Sequence, residues 1–109
     1  MLLMKKRFFD DIRHGRKKTT LRYWSRRLVR PDTFHNVRGL GRIHVTAVSQ
    51  VDLADLDDAD AQADGLDGLD GLRQALEEIY PPEKRTGRSL YKVEFVYCPP
   101  AASDAGQQQ

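Results

Sequence analysis

Residues 14–24 read His14-Gly15-Arg16-Lys17-Lys18-Thr19-Thr20-Leu21-Arg22-Tyr23-Trp24, and the reading of this bend decides the fold. Upstream, Lys5 to His14 has Phe8, Ile12 and Phe9 spaced for the buried face of a helix. Gly15 can close that helix in the left-handed conformation that other residues resist. From Lys18 to Trp24 the chain becomes β-compatible. Strand alternation then puts Lys18, Thr20, Arg22 and Trp24 on one face and Thr19, Leu21 and Tyr23 on the other, with Lys17 at the turn able to reach over either.

Working outward, Ser25 to Gly41 is dense in arginine and broken by Pro31, Asp32, Gly39 and Gly41, which predicts a loop with short extended pieces. Arg42 to Leu53 alternates, with Ile43, Val45, Ala47, Val51 and Leu53 on one parity, as a half-buried strand does. Asp57 to Ala63 predicts a short acidic helix, since carboxylates favour the positive end of a helix dipole. The Asp-Gly repeats of 64–71 predict turns. Leu69, Leu72, Leu76 and Ile79 predict a second helix from Leu69 or Asp70, stopped by Pro81 and Pro82. Tyr91, Val93, Phe95 and Tyr97 share one face of a final strand, Arg88 to Cys98. Residues 99–109, without a large apolar side chain, are expected to be a disordered tail after a single domain at 1–98.

The chain has 109 residues, 39% apolar and 31% charged, as expected of one soluble domain. No apolar run is long enough to span a membrane, and 1–4 is too short for the core of a signal peptide. A single cysteine, Cys98, excludes an intrachain disulfide and fits a cytoplasmic location. The net charge of +2 conceals a segregation: residues 1–44 carry 13 Lys or Arg against 3 acids, and residues 45–80 carry 1 against 10. The basic part suits phosphates, provided that the acidic part does not fold over it. Strands scattered among helices predict a small α+β domain, an antiparallel barrel-like sheet with helices packed at its ends.

Gly15-x-Lys17 followed by Arg22 resembles the Gly-x-Lys-x-x-x-x-Arg motif of ASCH domains, small β-barrel proteins related to the PUA RNA-binding fold. The resemblance extends to Val37-x-Gly39-x-Gly41, Ala63-Asp64-Gly65-Leu66, the helix from Leu72 to Tyr80 with its Tyr-Pro ending, and the strand Leu90 to Phe95. It implies a PUA-like barrel with flanking helices and a cleft for RNA or a modified nucleoside. In the branch of the family that removes acetyl from N4-acetylcytidine, the resemblance places catalysis on Lys17, Thr20 and Asp64, without metal or cofactor. That branch carries glutamate where this chain has Asp64, one methylene shorter, so either the backbone moves in or the contact is lost.

Each residue also has a simpler reading. Lys17 can merely complement a helix C-terminus, Thr20 can be a strand former, and Asp64 can be turn chemistry. As a base, Lys17 needs burial or a cationic neighbour such as Arg22, Arg16 or Lys18 to lower its pKa. Thr20 is then either the nucleophile or a positioning group for lysine-activated water. Asp64 orients Lys17 or protonates the leaving amine. Arg22, Tyr23, Trp24, Arg26, Arg27 and Arg30, with Arg16 and Lys18, have the cations and rings that hold single-stranded RNA, one aromatic being expected in the core.

Two alternatives stand beside hydrolysis: an RNA-binding module without chemistry, and a ribonuclease using Lys17 or His14 as acid and base. His14, His35 and His44 share no metal-ligand spacing, and the Asp-Gly repeats lack a full calcium-ligand set. Cys98 has no base partner in sequence and reads as inert packing. No membrane and no obligate protein partner is implied.

Overall fold

Gly15 adopts a φ of +76°, and the chain turns there from helix into strand. The computed structural model describes residues 4–100, so all but the first two residues of the expected tail lie outside it. The expected first helix divides into a 3-10 turn, Lys6–Phe8, and α1, Phe9–Arg13. After the bend come β1 (Thr19–Trp24), β2 (Thr33–Val37) and β3 (Gly41–Val51). Helices α2 (Asp58–Ala63) and α3 (Leu69–Ile79) follow, then a short α4 (Pro82–Arg85) and β4 (Ser89–Cys98). Asp57 caps α2 in a reciprocal capping box with Asp60, which satisfies two otherwise unpaired backbone donors. Pro81 and Pro82 end α3 as expected, but Pro82 also opens α4 at its first position, where a missing N–H costs nothing.

The strands form one antiparallel sheet in the order β1-β4-β3-β2. The fold is α+β, an antiparallel sheet with flanking helices; the sheet is open, so "barrel" describes it only loosely. Strand β1 lies at one edge, and its partner β4 crosses it with Thr20 opposite Val93 and Arg22 opposite Tyr91.

Apolar clusters cover both faces. Phe9, Ile12, Val29 and Leu40 pack on Ile43, Val45, Val93 and Phe95 on one side. On the other, Ala61, Leu72 and Leu76 from α2 and α3 pack on Leu21 and Leu90. The helices therefore cover faces of the sheet and not only its ends. The alternation expected along β3 fails at one point. The register shifts between Val45, opposite Phe95, and Ala47, opposite Glu94. This extra residue flips the parity, so Val48 joins Val45 over the first cluster and Val51 packs in the second.

Ile43 is fully buried, while Val96, on the opposite face of β4, is half exposed. Ile43→Ala is expected to cost about 2–5 kcal/mol of stability, and Val96→Ala to stay within about 0.5 kcal/mol. Urea unfolding of the two variants checks that Ile43, and not Val96, belongs to the core.

Candidate active site

The turn after Gly15 fixes Lys17 before β1 begins. The carbonyl of Asp11 accepts from the backbone N–H of both Arg16 and Lys17, and Lys18 N–H donates to the Ala63 carbonyl at the end of α2. That last bond brings the helix C-terminus, capped by Asp64, against the start of the strand. Lys17 Nζ donates to the Asp64 carbonyl at 2.6 Å and lies 3.3 Å from its carboxylate Oδ1. The shorter side chain at position 64 is thus met by its own backbone. Gly65 turns the chain there at φ +91°, a conformation that favours glycine, and lies against the Lys17 stem. Thr19 Oγ1 donates to Asp64 Oδ1 at 3.4 Å, and Phe8 places its ring centroid 4.5 Å from Lys17 Nζ.

Lys17, Thr20 and Asp64 are only 4%, 6% and 9% exposed. All three line a cavity of about 260 Å³, a little below the range of about 300–1,000 Å³ common for small-molecule sites. Three consecutive residues, Thr20, Leu21 and Arg22, border it. Successive strand residues face opposite sides, so the cavity runs along the outer edge of β1, between the two helical layers. Phe8 and Met4 form one wall, and Leu72, Ala75, Leu76, Ile79 and Tyr80 form the other. Arg22 Nε donates to Thr20 Oγ1 at 3.0 Å.

Burial is the largest influence on each charged group here. It pushes Lys17 below its usual 10.5, against the opposing pull of Asp64 and with a smaller contribution from Arg22 in the same direction. It pushes Asp64 above its usual range, while Lys17, Thr19 and Arg22 pull it back. Burial also draws Arg22 downward, but a guanidinium retains its proton in proteins. The site therefore holds a permanent cation beside a hydroxyl, next to an amine and a carboxyl whose proton affinities have been driven towards each other.

The other candidates lie elsewhere. Arg16 is exposed and bonds Asp11 Oδ1 at 2.7 Å; with Lys18 it borders a separate groove. Both aromatics are half buried: Tyr23 packs edge-on to Tyr80 and Trp24 lies against Tyr91. Neither lines the cavity with Lys17. Arg26, Arg27 and Arg30 are exposed outside it and form no ion pair among the described residues. Among those residues, Lys17–Asp64 is the one ion pair joining the basic segment 1–44 to the acidic segment 45–80. Among them, too, no three His, Cys, Asp or Glu side chains gather to hold a metal, and no helix is long and apolar enough to cross a membrane. Sequence reasoning passed over Phe8 as a partner of Lys17 and Thr19 as a partner of Asp64. The signal for Thr19 was its place on the face opposite Thr20, which is the face that α2 covers.

This fold of an antiparallel sheet with flanking helices is found in solved structures. An ASCH domain from Lactobacillus crispatus JV V101 superposes with a TM-score of 0.69 at 17% identity, over 81% of this chain and 68% of that one. The hypothetical protein PH0355 superposes with a TM-score of 0.72 at 15% identity, over 86% of this chain and 94% of its own. Protein EF3133 from Enterococcus faecalis V583 gives 0.60 at 21% identity, over 83% and 69%. No family model and no curated protein matches the sequence. At these identities the likeness is one of fold: the chain has the architecture of an ASCH domain.

Between its depressed pKa and 10.5, Lys17 has lost in the folded state a proton that the unfolded chain still binds. This group therefore favours folding increasingly as pH rises through that window. Asp64→Asn removes the charge that opposes the shift, so Lys17 is expected to titrate still lower. NMR titration of isotope-labelled lysine in both proteins checks this; an unchanged or higher Lys17 pKa in the variant contradicts it.

Proposed function

We propose that the protein hydrolyses the N4-acyl amide of an acylated cytidine, releasing cytidine and a carboxylic acid without a metal or cofactor. The observation that carries this reading is the burial of Lys17, Thr20 and Asp64 along one small cavity, although position 64 is remote in sequence from the other two. The fold likeness to an ASCH domain supports it.

In the reaction, Thr20 Oγ attacks the acyl carbon and its proton passes to the neutral amine of Lys17. A lysine can serve as base only when its charge is disfavoured, and burial provides that. Arg22, already donating to Thr20 Oγ1, stabilises the oxygen as its proton leaves, and its fixed positive charge stabilises the negative charge that develops in the tetrahedral intermediate. Collapse breaks the C–N bond, and Lys17 returns the proton to the departing N4 amine. Water, deprotonated by Lys17, then attacks the Thr20 ester, and Lys17 passes that proton to Thr20 Oγ as the C–O bond breaks, releasing the carboxylic acid and restoring the hydroxyl and the neutral amine. Asp64 holds the amine in place through its carbonyl and carboxylate. The apolar wall from α3 excludes water from the acyl group.

The test is hydrolysis of N4-acetylcytidine in the presence of chelator, followed by chromatography. Lys17→Ala is expected to lower turnover about 10²–10⁴-fold, the usual worth of a general base. Thr20→Ala is expected to abolish it and Thr20→Ser to restore part, with an acetyl adduct on residue 20 detectable by mass spectrometry. Full activity in both alanine variants sinks the reading. Activity without an adduct assigns the attack to lysine-activated water.

The unpaired, exposed Arg26, Arg27 and Arg30 favour a second role, binding single-stranded RNA outside the cavity. Replacing each by glutamine is then expected to weaken binding about equally and to flatten its salt dependence.

A further inference from the structure

Resting on the hydrolase reading, we propose that the cavity takes its cytidine with a phosphate on the ribose, and that Lys5 and Arg7 at the mouth hold that phosphate.

Lys5 and Arg7 bring two exposed cations to the lining, whose single carboxylate is Asp64. That carboxylate is already engaged by Lys17. A neutral nucleoside gives the surplus positive charge nothing to meet; a phosphate does.

Depth sorts the cations. Lys17 is buried and serves the floor, whereas Lys5 and Arg7 are exposed and mark the entrance. Neither Lys5 nor Arg7 pairs with a carboxylate among the described residues. Phe8 links the two levels. Its ring receives Lys17 Nζ at 4.5 Å and the Arg7 guanidinium at 4.9 Å. A guanidinium lying over a ring is oriented yet keeps its N–H donors, which suit the paired oxygens of a phosphate. A cavity of about 260 Å³ has room for an acylated base. With the base against the α3 wall and the amide at Thr20, the sugar's phosphate is left at the mouth.

The experiment compares kcat/KM for N4-acetylcytidine, its 5′-monophosphate, and a short single-stranded RNA containing the same base. It uses the wild type, a Lys5→Gln, Arg7→Gln double variant, and Lys6→Gln, an exposed neighbour outside the lining. The wild type is expected to prefer a phosphorylated form by about 10–100-fold at low salt. The double variant brings the ratio near one, and Lys6→Gln preserves it. Preference for the monophosphate identifies a nucleotide substrate, and preference for the RNA a strand; both support a phosphate subsite. Hydrolysis of all three at equal efficiency overturns the inference and leaves the hydrolase reading intact. If none is hydrolysed, the hydrolase reading fails, and calorimetry with cytidine and cytidine 5′-monophosphate decides the subsite separately. Equal affinities for the two overturn it, and tighter binding of the monophosphate that is lost in the double variant supports it.

Discussion

The contact between Lys17 and the Asp64 peptide unit holds the functional part of this molecule together. It ties the entry of the first strand to the exit of a helix 47 positions away, and the adjacent bond from Lys18 to Ala63 sets the spacing of the two segments. The contact adds little to net stability, because removing both charges from water offsets most of their attraction. Its effect is positional. Lys17 is held by a carbonyl that cannot titrate, so the ammonium can lose its proton while the helix end stays where it is.

That anchorage also explains the mixed character of the cavity. One wall is the side of α3 that carries Leu72 and Leu76, residues shared with the core, and the other is a short segment from near the N-terminus that carries Met4 and Phe8. The deepest polar groups, Lys17, Thr20 and Asp64, gather where β1 begins. An amide carbon approaching Thr20 would leave water on the apolar side while meeting a cation and an amine on the other, the arrangement in which electrostatic interactions gain strength.

Much of this was legible in the sequence for local reasons. The bend at Gly15, the capped acidic helix, the spacing of Leu72 and Leu76 and the alternation of β4 each depend on neighbours along the chain. What could not be read depends on partners far away. The bulge in β3 is defined by its pairing with Glu94, so periodicity alone carried the parity straight through Thr46. Arg16 and Lys18 flank Lys17 in sequence, but they point into a different groove because the tight turn rotates successive side chains apart. The motif resemblance brought Lys17, Thr20 and Asp64 together on paper. It could not supply Phe8, which becomes a neighbour only after the chain doubles back.

An open sheet has two lateral borders, and each leaves backbone donors and acceptors without a strand beside them. On the β1 side, the same walls that enclose the cavity stand in the path of any incoming strand. The β2 side presents Phe34, half exposed, with His44 stacked on its ring, the Arg42 guanidinium 4.3 Å from the ring centroid, and Asp32 bonded to that imidazole. Hydrated charges there do the work of a wall. Neutralising them would bare the backbone of β2 to pairing with another chain, a hazard from which the walls shield the β1 border.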